Sequence, residues 1–129
     1  MSQPVLVDTS AWIDALRKDG DPEVLAAVKS LTADGAAVLC DMVRLELWNG
    51  ARGKAERQFL AGLDKELECF PTTAEVWQTA IDLADACRRR GITVPTTDLL
   101  IAACAEHHGL GLLHHDTHFD QISKATGKV

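Results

Sequence analysis

Short apolar runs alternate with longer segments of helical periodicity along the chain. The apolar runs are bounded by polar or turn-forming residues, which is typical of buried strands. The predicted strands are Val5–Val7, Ala37–Cys40, Glu68–Phe70, Ile92–Val94 and Gly111–His114. Strands separated by helices form parallel sheets that are covered on both faces. Residues 1–129 are therefore predicted to form a single α/β domain, a parallel sheet of about four to five strands flanked by helices.

Capping signals predict where the intervening helices begin. They are Asp21-Pro22-Glu23, the capping box Thr72-Thr73-Ala74-Glu75, and Thr96-Thr97 after Pro95. Further helices are predicted from near Asp41 and around Phe59, Leu60 and Leu63. Apolar residues at helical spacing follow the capping box and predict a buried stripe. The stripe consists of Val76, Trp77, Ala80, Ile81, Ala84 and Cys87, and Arg88-Arg89-Arg90-Gly91 is predicted to end that helix.

Composition narrows the class of protein. A chain of 129 residues is long enough for one domain with a real core. No apolar run reaches the ~18–20 residues of a membrane span, and no secretory signal is visible, so we expect a cytoplasmic protein without membrane contact. Cys40, Cys69, Cys87 and Cys104 are scattered and are expected to be reduced core residues. The net charge of −6 argues against nucleic-acid binding through bulk charge, although a local basic rim remains compatible with it.

Four acids stand where a parallel sheet would bring them together. Asp8 and Asp116 follow the first and last predicted strands, and Asp98 lies in the first turn of a predicted helix. Glu46 lies inside a helix, on a face of uncharged residues. Ligands bind beyond the carboxyl ends of parallel strands, so these four side chains are predicted to converge at that edge.

Each acid also has an ordinary structural interpretation. Asp8 is a favoured N-cap residue, Asp98 complements a helix dipole, and Asp116 is a common turn residue. The remaining acid, Glu46, has Arg44 and Arg52 as possible ion-pair partners. If all four converge, however, they repel each other by about 4 kcal/mol for each pair ~4 Å apart at an effective dielectric of ~20. A hard divalent cation such as Mg²⁺, which prefers oxygen ligands, would turn this net repulsion into a net attraction, because each carboxylate would then interact with a positive charge.

Four segments of the chain resemble, in order, the motifs of the PIN domain. More narrowly, they are similar to the VapC-type toxins of bacterial toxin–antitoxin pairs. The segments are VLVDTSAWID at 5–14, RLELWNGA at 44–51, PTTDLLIAA at 95–103 and LLHHDTHFDQI at 112–122. The four acids of the family correspond to Asp8, Glu46, Asp98 and Asp116, and its small hydroxyl residue corresponds to Thr9 or Ser10. Family members often carry a further acid where this chain has His118, which implies one carboxylate fewer here.

The resemblance implies a metal-dependent ribonuclease with a parallel sheet between helices. Asp8 and Asp98 would hold Mg²⁺, with Mn²⁺ as the other candidate, and the ion would activate a water and screen the phosphate. Either Glu46 or Asp116 would orient that water or accept its proton. Thr9 or Ser10 would hydrogen-bond a metal-bound water or a phosphate oxygen, or else cap a helix.

The resemblance also implies partners. The substrate would be RNA, and a cognate antitoxin would inhibit a homodimeric toxin by laying its tail across the acidic site. Basic residues beside Glu46 are candidates for RNA binding, with a solvated helix surface as the alternative. These residues are Arg44, Arg52, Lys54 and Arg57.

Other functions explain the sequence less well. A haloacid-dehalogenase-like phosphatase needs a second Asp two residues after Asp8, where this chain has Ser10. A response-regulator receiver needs a lysine that is missing near Asp98 and Asp116. The five histidines match no standard zinc spacing. A non-enzymatic α/β binding module stays open, and it would differ from a nuclease in ignoring divalent metal ions.

Overall fold

Four short parallel strands form the centre of the computed structural model, which describes residues 3–127. The strands are β1 (Val5–Val7), β2 (Ala37–Cys40), β3 (Cys69–Phe70) and β4 (Gly111–Leu113). Their order across the sheet is β3-β2-β1-β4, so β1 has a neighbour on each side. In the register, Val5 lies opposite Ala37 of β2 and Gly111 of β4. The predicted α/β class and parallel sheet are confirmed.

Seven helices surround this sheet in the described part of the chain. They are α1 (Thr9–Leu16), α2 (Pro22–Ala33), α3 (Asp41–Asn49), α4 (Gly53–Glu66), α5 (Ala74–Arg89), α6 (Thr96–His108) and α7 (Thr117–Thr126). The predicted start of α2 is confirmed, because Asp21 accepts a hydrogen bond from Glu23 N. Helix α5 begins one residue later than the capping box predicts, since Thr73 rather than Thr72 is the N-cap and accepts from Val76 N. None of these helices is both long and apolar enough to cross a membrane.

Helix α6 lies in the middle of the core. Every residue from Leu99 to Ala105 is buried, as expected of a helix that is apolar on all sides. The helix ends at Gly109, whose φ of +66° is a left-handed conformation that few other residues adopt readily. This turn leads the chain directly into β4. The core therefore holds the start of α6, and Asp98 with it, beside the sheet.

The predicted strand at Ile92–Val94 is wrong. The segment is irregular and pairs with none of the four strands. The N–H of Ile92 instead bonds to the carbonyl of Cys87, 2.9 Å away, and so completes the C-terminal cap of α5. Pro95, which follows, has no N–H to donate to a ladder. The segment still buries Val94, so its apolar residues serve the core without joining the sheet.

Two further details differ from the sequence predictions. Thr96 and Thr97 do not cap α6, because the N-cap position is Pro95 and no side chain caps the helix. In α5, Trp77 and Ile81 are 53% and 59% exposed and do not belong to the buried stripe. Of the four cysteines, all free thiols, Cys40, Cys87 and Cys104 are buried as predicted, whereas Cys69 is only partly buried.

Candidate functional site

Three of the four predicted acids lie at the starts of helices. Asp8 directly follows β1 and caps α1, with Oδ2 accepting from the N–H and hydroxyl of Ser10 at 3.0 and 2.7 Å. Asp116 caps α7 by accepting from the N–H of His118 at 2.8 Å. Asp98 lies in the first turn of α6. The positive end of each helix favours a carboxylate there, and this structural role is compatible with a further functional one.

Glu46 reaches the same region from α3. Its Oε1 accepts a hydrogen bond of 2.8 Å from the hydroxyl of Thr9, the residue after Asp8. The ion pairs considered for Glu46 do not form, because Arg44 pairs with Asp64 and Arg52 with Glu56. The structure therefore brings Glu46 beside the end of β1.

The electrostatics of Glu46 and Asp98 show that the four acids form one cluster. Burial raises the pKa of Glu46; the Thr9 hydrogen bond opposes that shift, and the charges of Asp8, Asp98 and Asp116 add to it. Burial also raises the pKa of Asp98, with further contributions from Asp116 and Asp8. These side chains thus lie close enough for each negative charge to act on its neighbours. The four acids are hereafter called the acidic cluster.

His118 also lies in the acidic cluster. Its Nδ1 is 2.8 Å from Oδ2 of Asp98 and 2.9 Å from Oδ1 of Asp116. The contact with His118 opposes the rise in the pKa of Asp98. One ligand atom from each of these three residues lies within 4.8 Å of the others, a spacing that can hold a metal ion. The sequence indicated a role for His118 only through its position, two residues after Asp116, where the family often has an acid.

The acidic cluster fits a divalent cation. Asp8 is only 2% exposed, and its Oδ1 has no hydrogen-bond partner within residues 3–127. An unpartnered carboxylate oxygen is costly to bury, and a cation would satisfy it. The other donors are mainly carboxylates, the ligands preferred by Mg²⁺ and Mn²⁺. The cluster can therefore bind a metal ion.

A second set of contacts fixes the loop that carries Asp116. The hydroxyl of Ser10 accepts a hydrogen bond of 2.9 Å from the N–H of His115 while it donates to Asp8. The imidazole of His115 pairs with Asp14 on α1, which raises the pKa of His115 and lowers that of Asp14. The loop between β4 and α7 is therefore attached to α1 by both backbone and side chain.

The four predicted RNA-binding residues have different surroundings. Arg44 binds Asp64 through two hydrogen bonds of 2.7 and 3.0 Å. Arg52 forms a weaker pair of 3.4 Å with Glu56 and remains largely exposed. Lys54 and Arg57 are exposed on α4, and neither forms an ion pair with a residue in 3–127. Of the four, Arg44 is the most fully occupied by a structural contact.

An apolar groove lies on a different side of α1. Its volume is about 420 Å³, and its walls come from α1, α2 and α4. The larger wall residues are Trp12, Leu16, Leu25, Val28, Phe59 and Leu63. The lining also includes one charged residue, Lys29. The groove is thus suited to an apolar surface, in contrast to the acidic cluster at the start of α1.

Comparisons with known proteins identify the family that this chain matches. The sequence profile of the PIN domain matches residues 5–125. Ribonuclease VapC51 of Mycobacterium tuberculosis is 34% identical over 131 residues, covering 99% of this chain and 91% of that protein. Ribonuclease VapC18 of the same species is 35% identical over 126 residues, covering 95% and 89%.

Solved structures show the same fold. VapBC2 from Rickettsia felis, bound to a DNA fragment from its promoter, aligns with a TM-score of 0.76 at 17% identity, covering 97% of this chain and 95% of that one. VapC20 of Mycobacterium tuberculosis, described as a sarcin-ricin loop cleaving toxin, aligns with a TM-score of 0.68 at 23% identity, covering 97% and 96%. The fold is therefore shared with these proteins.

Proposed function

This chain belongs to the PIN-domain family, and from that membership we propose that it is a metal-dependent ribonuclease, the toxin of a toxin–antitoxin pair. The main observation that supports the proposal is the acidic cluster, in which Oδ1 of Asp8 is buried without a hydrogen-bond partner among the described residues. A purely structural role would leave that oxygen without compensation. The chain's similarity to proteins named VapC ribonucleases supplies the substrate class, RNA.

Asp8 and Asp98 are the proposed principal metal ligands, because they are the two buried acids of the cluster. A bound divalent cation would supply charge screening at the phosphate and make a water more acidic. Mg²⁺ is the proposed cation on the basis of the carboxylate donors, with Mn²⁺ as the alternative.

Glu46 is the better placed of the two candidates for accepting the proton of the attacking water. Thr9 holds its Oε1, which leaves Oε2 to accept a proton. Burial and neighbouring negative charge raise the pKa of Glu46, which makes it a stronger base than an ordinary glutamate. Asp116 instead contacts His118 through Oδ1. We therefore assign proton transfer to Glu46 and a metal-holding role to Asp116.

RNA binding is assigned chiefly to Lys54 and Arg57, whose exposed cations are available to phosphates. Arg52 contributes more weakly because Glu56 competes for it, and Arg44 serves mainly to join α3 to α4 through Asp64. With a net charge of −6, the protein depends on such a local basic surface to hold a polyanion.

The proposed inhibitor is an antitoxin that places an amphipathic helix in the apolar groove and lays its tail across the acidic cluster. A helix with apolar anchors at i, i+3 and i+4 fits a groove of this kind. The similar structure from Rickettsia felis is a VapBC complex, and another similar structure is described as a member of the VapBC family of toxin–antitoxin systems. We further propose that the toxin is cytoplasmic and that it forms a homodimer. Size-exclusion chromatography with light scattering would test the dimer.

A ribonuclease assay of the purified protein tests the catalytic proposal. Cleavage of RNA is expected with Mg²⁺ or Mn²⁺ and should be lost in EDTA and in Asp8→Asn. Because Asn keeps the shape of the side chain, a folded but inactive variant separates catalysis from stability. Full activity in EDTA would contradict metal dependence, and a well-folded wild type without activity on any RNA would favour the binding-module alternative.

A further inference from the structure

His118 is the one imidazole that enters the acidic cluster in the described chain. Its Nδ1 stands 2.8 Å from Asp98 Oδ2 and 2.9 Å from Asp116 Oδ1. Adjacent ligands of an octahedral ion with bonds of ~2.1 Å are ~3.0 Å apart, so both spacings suit neighbouring ligands of one cation. All three donor atoms also lie within 4.8 Å of one another, close to the span of two such bonds.

The backbone fixes His118 at this position. Its N–H donates to Asp116 Oδ1 at 2.8 Å, which places His118 in the first turn of α7, two residues after the N-cap. The ring then lies over the start of α6, where Asp98 is only 8% exposed. Since two helix starts hold the ring and its two carboxylate neighbours, the three donors are prearranged.

A second observation points to a ligand for this cluster. The unpartnered Oδ1 of Asp8 is buried, and the charge of Asp8 acts on both Asp98 and Glu46. The imidazole of His118 contacts Asp98 and Asp116, so it leaves this oxygen of Asp8 unsatisfied. The cluster therefore needs a further positively charged species even when His118 is in contact with Asp98 and Asp116.

We propose that His118 Nδ1 is a metal ligand, so that the site has mixed nitrogen and oxygen donors and binds Mn²⁺ in preference to Mg²⁺. Imidazole suits first-row transition ions, whereas Mg²⁺ is a hard ion that takes oxygen ligands. The inference rests on the proposed function and deepens it. Carboxylates alone would accept either Mg²⁺ or Mn²⁺, whereas an imidazole ligand favours Mn²⁺.

Electron spin echo envelope modulation of bound Mn²⁺ tests this ligand directly, since a coordinated imidazole nitrogen gives a nuclear modulation that carboxylates do not. The wild-type protein should show the nitrogen signal, and His118→Gln should lose it. His107→Gln is the matched control, because His107 is exposed in the last turn of α6, at the opposite end of that helix from Asp98, and it should keep the signal. Mn²⁺ bound without nitrogen coupling, or coupling that persists in His118→Gln, would overturn the proposal.

Isothermal titration with Mn²⁺ and Mg²⁺ gives an independent measurement without RNA. The ratio of Mn²⁺ affinity to Mg²⁺ affinity should fall by at least about tenfold in His118→Asp, which makes the donors all oxygen. If the added charge prevents folding, as circular dichroism would show, the neutral His118→Gln replaces it and should lose Mn²⁺ affinity more than Mg²⁺ affinity. An unchanged ratio would overturn the role of His118 alone. Failure of the wild type to bind either ion would overturn the proposed metal dependence as well.

Discussion

The hydroxyl of Thr9 donates a hydrogen bond of 2.8 Å to Glu46 and so connects the first turn of α1 to the middle of α3. Thr9 follows Asp8 in the chain, whereas Glu46 comes from a separate helix after β2. The bond therefore sets the position of the proposed proton acceptor relative to the proposed metal ligand. It also lowers the pKa of Glu46 against the effect of burial.

Thr9→Val should shift the pH dependence of RNA cleavage. Valine keeps the shape of the side chain but cannot donate, so the pKa of Glu46 should rise further. A base must be ionised to accept a proton, and the acid limb of kcat/KM should therefore move to higher pH. Thr9→Ser retains the hydroxyl and serves as the control. An acid limb that is identical in Thr9→Val and the wild type would argue against Glu46 as the base.

Asp98→Asn should not destabilise the metal-free protein at pH 7. Burial and Asp116 raise the pKa of Asp98 above its ordinary 3.8, so its ionised form opposes folding above both pKa values. That cost is relieved as the pH falls through the folded-state pKa, and any advantage of the variant should vanish below 3.8. Urea unfolding in EDTA from pH 7 to pH 3 measures this. A loss of roughly 0.3–1 kcal/mol at pH 7 would instead indicate a helix-dipole role.

The same variant should respond weakly to metal. Added Mg²⁺ or Mn²⁺ should raise the Tm of the wild type through linkage but barely change that of Asp98→Asn. Asp120→Asn is the matched control, because Asp120 is also in the first turn of a helix but is outside the acidic cluster. Its Tm should respond like that of the wild type. Equal responses in all three proteins would exclude Asp98 as a ligand.

Substitutions at Arg44 and Arg57 should affect different properties: the first should reduce stability and the second should weaken RNA binding. Arg44→Gln breaks the two-bond pair with Asp64 and should cost about 1 kcal/mol, since both side chains are partly exposed. Arg57→Gln should leave stability unchanged but weaken RNA binding. The dependence of the RNA affinity on salt concentration should also decrease, by the amount that corresponds to about one lost phosphate contact. Urea unfolding and binding to RNA at several salt concentrations, both in an Asp8→Asn background, give the two readouts. The reverse pattern would reassign the basic surface.

A charge in the apolar groove should free the toxin from its antitoxin. Leu25→Glu changes a groove residue on α2, a helix that carries none of the acidic cluster, so RNA cleavage and growth arrest should persist while co-expressed antitoxin no longer restores growth. Ile81→Glu introduces the same charge at an exposed apolar residue outside the groove, and antitoxin should still restore growth. Rescue of cells expressing Leu25→Glu would place the antitoxin elsewhere. A wild type that cuts RNA but leaves growth unaffected would contradict the toxin assignment.

The sequence predicted best those features that depend on neighbouring residues. Strands β1 and β2 are uninterrupted apolar runs, and their predicted ends agree with the structure. The segment Ile92–Val94 consists of β-branched residues that also favour strands, but a cap of the preceding helix uses the Ile92 N–H, which composition does not reveal. Helical spacing likewise placed Trp77 and Ile81 on one stripe without showing what would cover them.

The acids were predicted because each one follows a local signal, such as a strand end or a helix start. The contact between His118 and Asp98 has no such signal, because it depends on how α7 packs beside α6. Similarly, the pairing of Arg44 with Asp64 joins two helices that are separate in sequence. Contacts of this kind follow from packing rather than from local spacing.

The central place of β1 in the sheet has a consequence for the order in which a ribosome makes the protein. Strand β1 is translated first, yet its neighbour β4 comes more than a hundred residues later, and the N–H of Asp8 bonds to the carbonyl of Leu113 there. Until β4 emerges, one edge of β1 stays unpaired and Asp116 and His118 are missing from the acidic cluster. The nascent chain therefore cannot assemble the complete acidic cluster until β4 and α7 have left the ribosome, and we expect it to be inactive as a ribonuclease up to that point.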